Sequence, residues 1–177
     1  MKKGILIIIV LACLSILFWG NEPGNAFMGM RDRNRGTQAA TTFEPKGAIL
    51  WEQLKKMDYT KKFKMWPGKT SFYAGTEPHG DLLTTYVNIP AFMAIAGKKG
   101  VLPEGSIIVT ENYSADKKLT GTTVMFKSRA YNPDSGDWFW AKYAPDGKVE
   151  AEGKVESCIK CHSAKKDNDY IQTGPIK

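Results

Sequence analysis

The stretch from Thr122 to Val155, TTVMFKSRAYNPDSGDWFWAKYAPDGKVEAEGKV, decides the fold of this chain. Three extended segments, 122–131, 138–143 and 148–155, are separated by the turn sequences NPDSGD and PDG. The first two are rich in β-branched and aromatic residues, which favour strands, and short turns of Pro, Asp and Gly join neighbouring strands. The stretch therefore predicts an antiparallel meander.

Two more strands are predicted upstream, LLTTYVN at 82–88 and SIIVTENY at 106–113. Between them PAFMAIAGKKG begins with Pro90 and ends with glycines, which indicates a short helix. The whole pattern predicts an α+β fold with an antiparallel β-sheet meander, flanking helices and a C-terminal helix.

The strongest helical signal precedes the strands, in EPKGAILWEQLKKMDY. Leu50, Leu54 and Met57 recur at helical spacing. Pro45 suits a first helical position, because its missing N–H needs no partner there.

The N-terminus has the pattern of an export signal. Lys2 and Lys3 precede an apolar run that ends at Gly20 and is shorter than the roughly 20 residues that span a bilayer well. Cleavage after Ala26 would leave 151 residues. We interpret residues 1–26 as a signal peptide or as an uncleaved membrane anchor through residues 5–19. Lipidation of Cys13 fits less well, because apolar residues continue past it.

The rest of the chain divides by composition. Residues 27–43 are polar and aperiodic and predict a linker or arm, 44–172 form the domain, and 173–177 form a tail. The net charge of +7 falls only to +6 after cleavage, and the lysines are scattered without an arginine cluster. A solvated basic surface is therefore expected, and nucleic-acid binding is not. The predicted location is the periplasm, free or anchored to the inner membrane.

Cleavage leaves two cysteines, Cys158 and Cys161, directly before His162. Cys-x-x-Cys-His is the c-type haem attachment sequence. Each thiol adds to a vinyl group of the porphyrin, and one helical turn places both on the same side. His162 then reaches the iron as proximal ligand. The motif predicts one covalent haem c.

Two other uses of the cysteines fit the sequence less well. A tetrahedral zinc site needs four ligands, and the mature chain adds only His79 as a further nitrogen or sulfur ligand. A thioredoxin-like pair belongs at a strand–helix junction of a βαβ unit, whereas this pair follows a β meander.

The segment order resembles the cytochrome P-460 family, which includes the cytochromes c′-beta. The resemblance covers roughly residues 44–172 and lies in PHGDLLTTYVN, LPEGSIIVTENY, TVMFK, GDWFWAKYAPDGKV, and CIKCH followed by DNDYI. It implies the roles given above for Cys158, Cys161 and His162. Oxidising members carry a cross-linking lysine where this chain has Thr110. Their distal arginine and carboxylate correspond to positions near Leu83 and Thr123, so hydroxylamine oxidation is in doubt.

The sixth iron position separates a ligand-binding protein from an electron carrier. Strong ligands are scarce: His79 lies in a predicted turn, and three methionines also fit core positions, namely Met65, Met93 and Met125. The other distal candidates are Leu83, Phe72, Phe92, Phe126, Thr110 and Thr123. An apolar cap would favour a small neutral diatomic molecule over water or anions, because these need hydrogen bonds.

The sequence thus predicts an exported monohaem c-type cytochrome that binds nitric oxide or a related small nitrogen species at an open distal site. One alternative is a periplasmic electron-transfer cytochrome with a six-coordinate haem and a redox partner protein. The other is a hydroxylamine or nitric oxide oxidoreductase, so whether the chain is an enzyme stays open. The resemblance also implies that a homodimer can form.

Overall fold

The computed structural model describes residues 45–177. The predicted signal peptide or anchor at 1–26, with its apolar segment 5–19, and the predicted arm at 27–43 lie outside the described residues. In the part that is described, no helix is both long and apolar enough to cross a membrane.

An antiparallel β-sheet of seven strands organises the described residues. The strands are β1 Lys64–Met65, β2 Tyr73–Ala74, β3 Leu82–Val87, β4 Ile107–Tyr113, β5 Leu119–Lys127, β6 Trp138–Tyr143 and β7 Val149–Gly153. Their order is β1-β3-β4-β5-β6-β7, with β2 also paired to β3. The predicted meander and α+β class are confirmed. The strands β1 and β2 were missed, because two residues are too few to show an alternating pattern.

Helices lie before, within and after the strands. They are α1 Gly47–Met57, α2 Tyr59–Lys62, α3 Ile89–Ala96 and α4 Glu156–His162, and α4 continues into a 3₁₀ segment, Ser163–Asn168. The predicted short helix and C-terminal helix correspond to α3 and α4. The predicted strand 122–131 was placed too late, since β5 starts at Leu119 and ends at Lys127.

The start of α1 differs from the prediction. The helix begins at Gly47 with Lys46 as N-cap, so Pro45 precedes it. The backbone N–H of Gly47 donates to Oε2 of Glu152 on β7, at 2.7 Å. A carboxylate from the sheet therefore caps α1, which satisfies a free N–H and fixes the helix against β7.

Side chains alternate between the two faces of the sheet, and each face carries a hydrophobic cluster. One cluster lies under α1 and contains Leu50, Leu54, Val109, Phe139 and Tyr143. The other includes side chains of α3 and the C-terminal segment packed on Val87, Ile108, Met125, Trp138 and Trp140. Cys158 and Ile159 of α4 pack against this second cluster, so α4 and α1 contact opposite faces of the sheet.

Residues 173–177 are not a loose tail. Ile176 is fully buried in the second cluster, and its carbonyl accepts a hydrogen bond of 2.7 Å from the N–H of Gly100. Its own N–H donates to Oδ1 of Asn168 at 3.0 Å. The sequence did not predict this packing, because one buried isoleucine in a short polar segment gives no periodic signal.

Candidate functional site: a cavity between the sheet and the C-terminal helix

A cavity of about 610 Å³ lies between the sheet and α4. Its volume is within the range of roughly 300–1,000 Å³ that is usual for sites of small molecules and cofactors. Eight residues singled out from the sequence line it, from five separate segments of the chain: His79, Leu83, Thr110, Thr123, Met125, Cys158, Cys161 and His162.

The register of the sheet brings the strand residues of this group together. Thr110 on β4 is paired with Thr85 on β3 and with Thr123 on β5, and Thr123 is paired with Lys142 on β6. Residues directly opposite in an antiparallel sheet share a face. A polar row therefore crosses the sheet at the level of the cavity.

The wall facing the sheet is the last turn of α4. Cys158 is partly buried, Cys161 is exposed, and both are free thiols that line the cavity with His162. Burial raises the pKa of Cys158, and Lys142 nearby acts weakly in the opposite direction. The thiol is therefore held mainly in its protonated form in the folded chain.

The imidazole of His162 is fixed by two contacts. Its Nδ1 lies 2.7 Å from the carbonyl oxygen of Tyr170, and since a carbonyl only accepts, Nδ1 carries the proton and donates. The ring packs on Trp140, with ring centres 4.6 Å apart. Burial lowers the pKa of His162, which favours the neutral ring with an unprotonated Nε2. This tautomer is the one that binds a metal ion through Nε2.

His79 lines the same cavity from a different segment, the loop before β3. Its ring centre lies 6.3 Å from that of His162, and the two ring planes are inclined at 80°. Its Nδ1 is 3.5 Å from the hydroxyl of Thr123, at the outer limit of a hydrogen bond. Burial lowers the pKa of His79 as well, while the side chain of Asn112 acts in the opposite direction. Both imidazoles are thus favoured in the neutral form.

The loop that carries His79 is pinned at both ends. The N–H of Gly75 donates to the carbonyl of Asp81 at 2.8 Å, and the Asp81 side chain accepts from the N–H of Ala115 at 3.0 Å. A Cβ at Gly75 would collide with the Gly80 carbonyl, and one at Gly80 with the backbone of Tyr113. Only glycine permits these close approaches, so the sequence GTEPHGD holds His79 in place.

The sheet side of the cavity is more polar than the sequence predicted. The Tyr73 hydroxyl lies 2.7 Å from that of Thr85, which lies 3.0 Å from that of Thr110. These groups form a hydrogen-bonded row rather than a dry surface. The expected apolar cap is therefore present only in part, through Leu83 and Met125.

The three phenylalanines proposed as part of that cap do not line the cavity. Phe92 packs against the second hydrophobic cluster from α3, and Phe126 packs in the cluster under α1 on the opposite face of the sheet. Phe72 packs on the ring of Tyr113 with centres 4.8 Å apart. Phe72 and Phe92 lie in an irregular segment and a short helix, so the sequence left their direction undetermined. Phe126 directly follows Met125 in β5, and strand alternation therefore turns it to the other face.

Two of the three methionines are also displaced from the site. Met93 is 63 % exposed and Met65 is 43 % exposed, and neither lines the cavity, so their interpretation as sulfur ligands is wrong. Their alternative interpretation as core residues is wrong for the same reason. Met125 is buried and lines the cavity.

Other cavity residues were not identified as site residues from the sequence: Lys69, Tyr73, Asn112, Trp140 and Lys142. Two of them follow from strand alternation once a neighbour is known to face the site. Asn112 lies two residues after Thr110, and Lys142 two after Trp140. No comparable signal marks Lys69, which precedes β2 in a turn region.

Within residues 45–177, no group of three or more His, Cys, Asp or Glu side chains is arranged to hold a metal ion. The site instead offers two thiols and one imidazole on a helical turn, with a second imidazole opposite. Such an arrangement suits a metal ion whose remaining ligands come from a cofactor.

The comparisons with known proteins point the same way. A sequence model of one protein family, described as Cytochrome P460, matches residues 60–173. The match runs from within α2 to the segment after α4. It includes all seven strands of the described sheet and leaves out helix α1. No curated protein matches the chain.

Proposed function

Because the chain belongs to the cytochrome P460 family, and is therefore a haem-binding cytochrome, we propose that it is an exported monohaem electron-transfer protein. In this proposal Cys158 and Cys161 would hold the haem covalently, and His162 and His79 would both bind its iron. The observation that favours electron transfer over binding of a small molecule at an open iron site is the 6.3 Å separation of the two imidazole ring centres.

The residues around the cavity fit a haem. The cavity is of cofactor size and has both thiols and His162 on one wall. The hydrogen bond from His162 to the Tyr170 carbonyl is the outer contact that metal-bound histidines usually make. Trp140, in the wall beside His162, has a buried Nε1 without a hydrogen-bond partner among the described residues. A cofactor with carboxylate groups would supply an acceptor for such a donor.

The spacing of the histidines matches ligation of one metal ion from two sides. Imidazole nitrogens bind metals at about 2 Å, so two rings on opposite sides of one ion have centres roughly 6 Å apart. The observed 6.3 Å agrees with that figure. Among the described residues that line the cavity, His79 is the one imidazole besides His162, and Met125 supplies the one thioether.

Haem supplies an iron ion that exchanges one electron between its ferric and ferrous states. The protein residues determine whether a further ligand can reach that ion. The pinned loop would hold the His79 ring in the site as a second protein ligand to the iron, which would leave no open position for water. A centre closed in this way favours electron transfer over binding of small molecules.

Export is proposed from the sequence pattern of residues 1–26, with the periplasm as destination. Covalent attachment suits that location, because a haem that dissociates outside the cytoplasm is lost. A redox partner protein is required by electron transfer, and we expect its docking surface to be acidic, since the chain carries a net charge of +7.

The test is the optical and electron paramagnetic resonance spectrum of the full-length protein matured in a periplasm that attaches haem. We expect a low-spin spectrum at neutral pH, unchanged by nitric oxide. His79→Ala should convert it to a high-spin spectrum that changes on adding the gas. Thr123→Val is the matched control, because it removes a group beside His79 and leaves both imidazoles.

Binding of nitric oxide by the resting protein is the second candidate function. It is supported by Leu83, Thr110 and Thr123, which line the cavity near His79 and are all uncharged. In that case the unmodified protein is high-spin and responds to nitric oxide, and His79→Ala changes the affinity but not the spin state. That result would refute the electron-transfer proposal and support gas binding.

A further inference from the structure

We propose that Asp169, held by Lys127, is a positioning residue for the proximal imidazole, because it fixes the Tyr170 carbonyl that accepts the hydrogen bond from His162. The inference rests on the proposed ligation of haem iron by His162. It assigns a purpose to the DNDYI segment, which the sequence marked only as part of the family resemblance.

The direction of the Tyr170 carbonyl depends on two unusual backbone conformations. Asp169 and Tyr170 have φ values of +53° and +64°, both in the left-handed region. Residues with side chains adopt this region at a cost in energy, so other contacts must hold two in succession. The carbonyl lies 2.7 Å from Nδ1 of His162, and a change in either φ would turn it away.

The contacts of Asp169 supply that restraint. Its side chain is almost fully buried, and Oδ1 accepts from Nζ of Lys127 at 2.5 Å. Its Oδ2 accepts from the backbone N–H of Leu102 at 2.9 Å. The carbonyl of Asp169 accepts from Nε1 of Trp138, also at 2.9 Å. Three separate parts of the fold thus hold one residue.

The side chain of Lys127 is also buried, between Asp169 and the ring of Trp138. Its side chain is 10 % exposed, and its Nζ lies 4.6 Å from the centre of the Trp138 ring. The ion pair is therefore shielded from water. In this buried position the two charges attract each other strongly, and removal of either partner leaves an uncompensated charge. The ion pair between Arg129 and Glu104, in contrast, has side chains 76 % and 53 % exposed.

A simple capping role does not account for these contacts. The end of the 3₁₀ segment is already closed by the hydrogen bond from the Tyr170 N–H to the Lys165 carbonyl, at 2.8 Å. The carboxylate of Asp169 instead contacts residues 42 and 67 positions away in the chain. Its contacts join the loop to the sheet, which sets where the loop lies relative to the cavity.

The expected consequence is a change in the iron's electron affinity. A histidine that donates its outer N–H to a fixed carbonyl is a more basic ligand and stabilises the ferric state. Loosening the carbonyl weakens this effect, and the ferrous state is then favoured. We expect Lys127→Met and Asp169→Ala to raise the equilibrium constant for reduction by about tenfold, which is about 59 mV for one electron.

The experiment measures the midpoint potential and the low-temperature spectrum of haem-loaded full-length protein. The variants are Lys127→Met, Asp169→Ala and the conservative Lys127→Arg, with Arg129→Met as matched control for loss of an ion pair. We expect both disruptive variants to shift the potential upward, Lys127→Arg to restore most of it, and Arg129→Met to leave it unchanged. Asp169→Ala removes two side-chain contacts at once, to Lys127 and to the N–H of Leu102, so Lys127→Met decides the test if that variant does not mature.

Lys127→Met with the potential and spectrum of the unmodified protein would overturn the inference, even if its melting temperature falls, because the pair would then serve stability alone. Unmodified protein without covalent haem would refute the proposed function instead. The two failures are therefore distinguished by the haem content of the unmodified protein.

Discussion

The imidazole rings of His79 and His162 both line the cavity, with centres 6.3 Å apart and ring planes inclined at 80°. In the sequence, most strands of the sheet lie between these two residues. His79 comes from the pinned loop before β3, and His162 from the last turn of α4. The two segments meet because both contact the same part of the sheet: His79 lies beside Thr123 on β5, and His162 packs on Trp140 of the neighbouring strand β6.

The first prediction concerns the attachment of haem. Replacement of both cysteines, Cys158→Ser with Cys161→Ser, should abolish covalent haem, because serine hydroxyls do not form the thioether bonds. Haem staining of a denaturing gel measures the outcome. Ser157→Ala, beside the first cysteine, is the control and should stain as strongly as the unmodified chain. A stained band in the double variant would contradict the assignment.

The second prediction concerns the proximal ligand. His162→Ala should keep covalent haem, because both thiols remain, but lose the spectrum of the unmodified protein, because the imidazole next to Trp140 and Tyr170 is gone. The measurement is the optical spectrum of the variant, after haem staining of a denaturing gel has shown that it carries covalent haem. An unchanged spectrum would show that His162 is not an iron ligand.

The third prediction concerns the packing of α1 on the sheet. Leu54 is fully buried in the cluster under α1, so Leu54→Ala should lower the free energy of unfolding by about 2–5 kcal/mol. Ile49→Ala on the same helix is the control. Ile49 is 45 % exposed, and its loss should cost less than about 1 kcal/mol. Denaturant titration measures both, and equal losses would contradict the assigned faces of the helix.

The fourth prediction concerns alkaline pH. Burial, together with the nearby carboxylate of Glu111, raises the pKa of Tyr59 far above its usual value, and the Tyr59 hydroxyl donates to Glu111 at 2.8 Å. Above the unfolded pKa of about 10, the unfolded chain loses this proton while the folded chain keeps it. The raised pKa of Tyr59 in the folded chain thus contributes fully to stability below pH 10. Above pH 10 the free energy of unfolding falls by about 1.4 kcal/mol per pH unit.

Thermal unfolding between pH 8 and 12 measures this effect. Tyr59→Phe should show a shallower loss of stability above pH 10, because one of the protons released on unfolding is absent. Phe139→Leu is the control, since it weakens the same cluster without removing a titrating group and should keep the slope of the unmodified protein. Parallel curves for Tyr59→Phe and the unmodified protein would refute the assignment.

Much of the fold could be predicted because its signals are local. The bounds of β6 were predicted at both ends, since Trp138 and Tyr143 lie between two strong turns. The haem motif needed only the spacing of Cys158, Cys161 and His162. Edge strands of two residues, and the buried Ile176 at the C-terminus, carry no pattern that a short window can detect.

The composition of the site was predicted less well, because side-chain direction depends on register and on loops. Thr110 and Thr123 were identified by the family resemblance, and the pairing of β4 with β5 places them side by side. The three phenylalanines of the expected cap face other surfaces, so the polarity of the cavity differs from the expectation. His79 was named from the sequence as a sixth-ligand candidate, but its position was not determined, since a turn histidine has no preferred direction.

The sequence by itself determined the meander of the five longer strands and the single helical turn that carries two thiols and an imidazole, because these depend on neighbours within a few residues. Only the tertiary structure decided which groups stand opposite that turn. Two glycine-dependent close approaches bring His79 to the cavity, and a buried ion pair between Lys127 and Asp169 fixes the carbonyl behind His162. Such contacts join residues tens of positions apart, and their geometry is set by packing of the complete sheet.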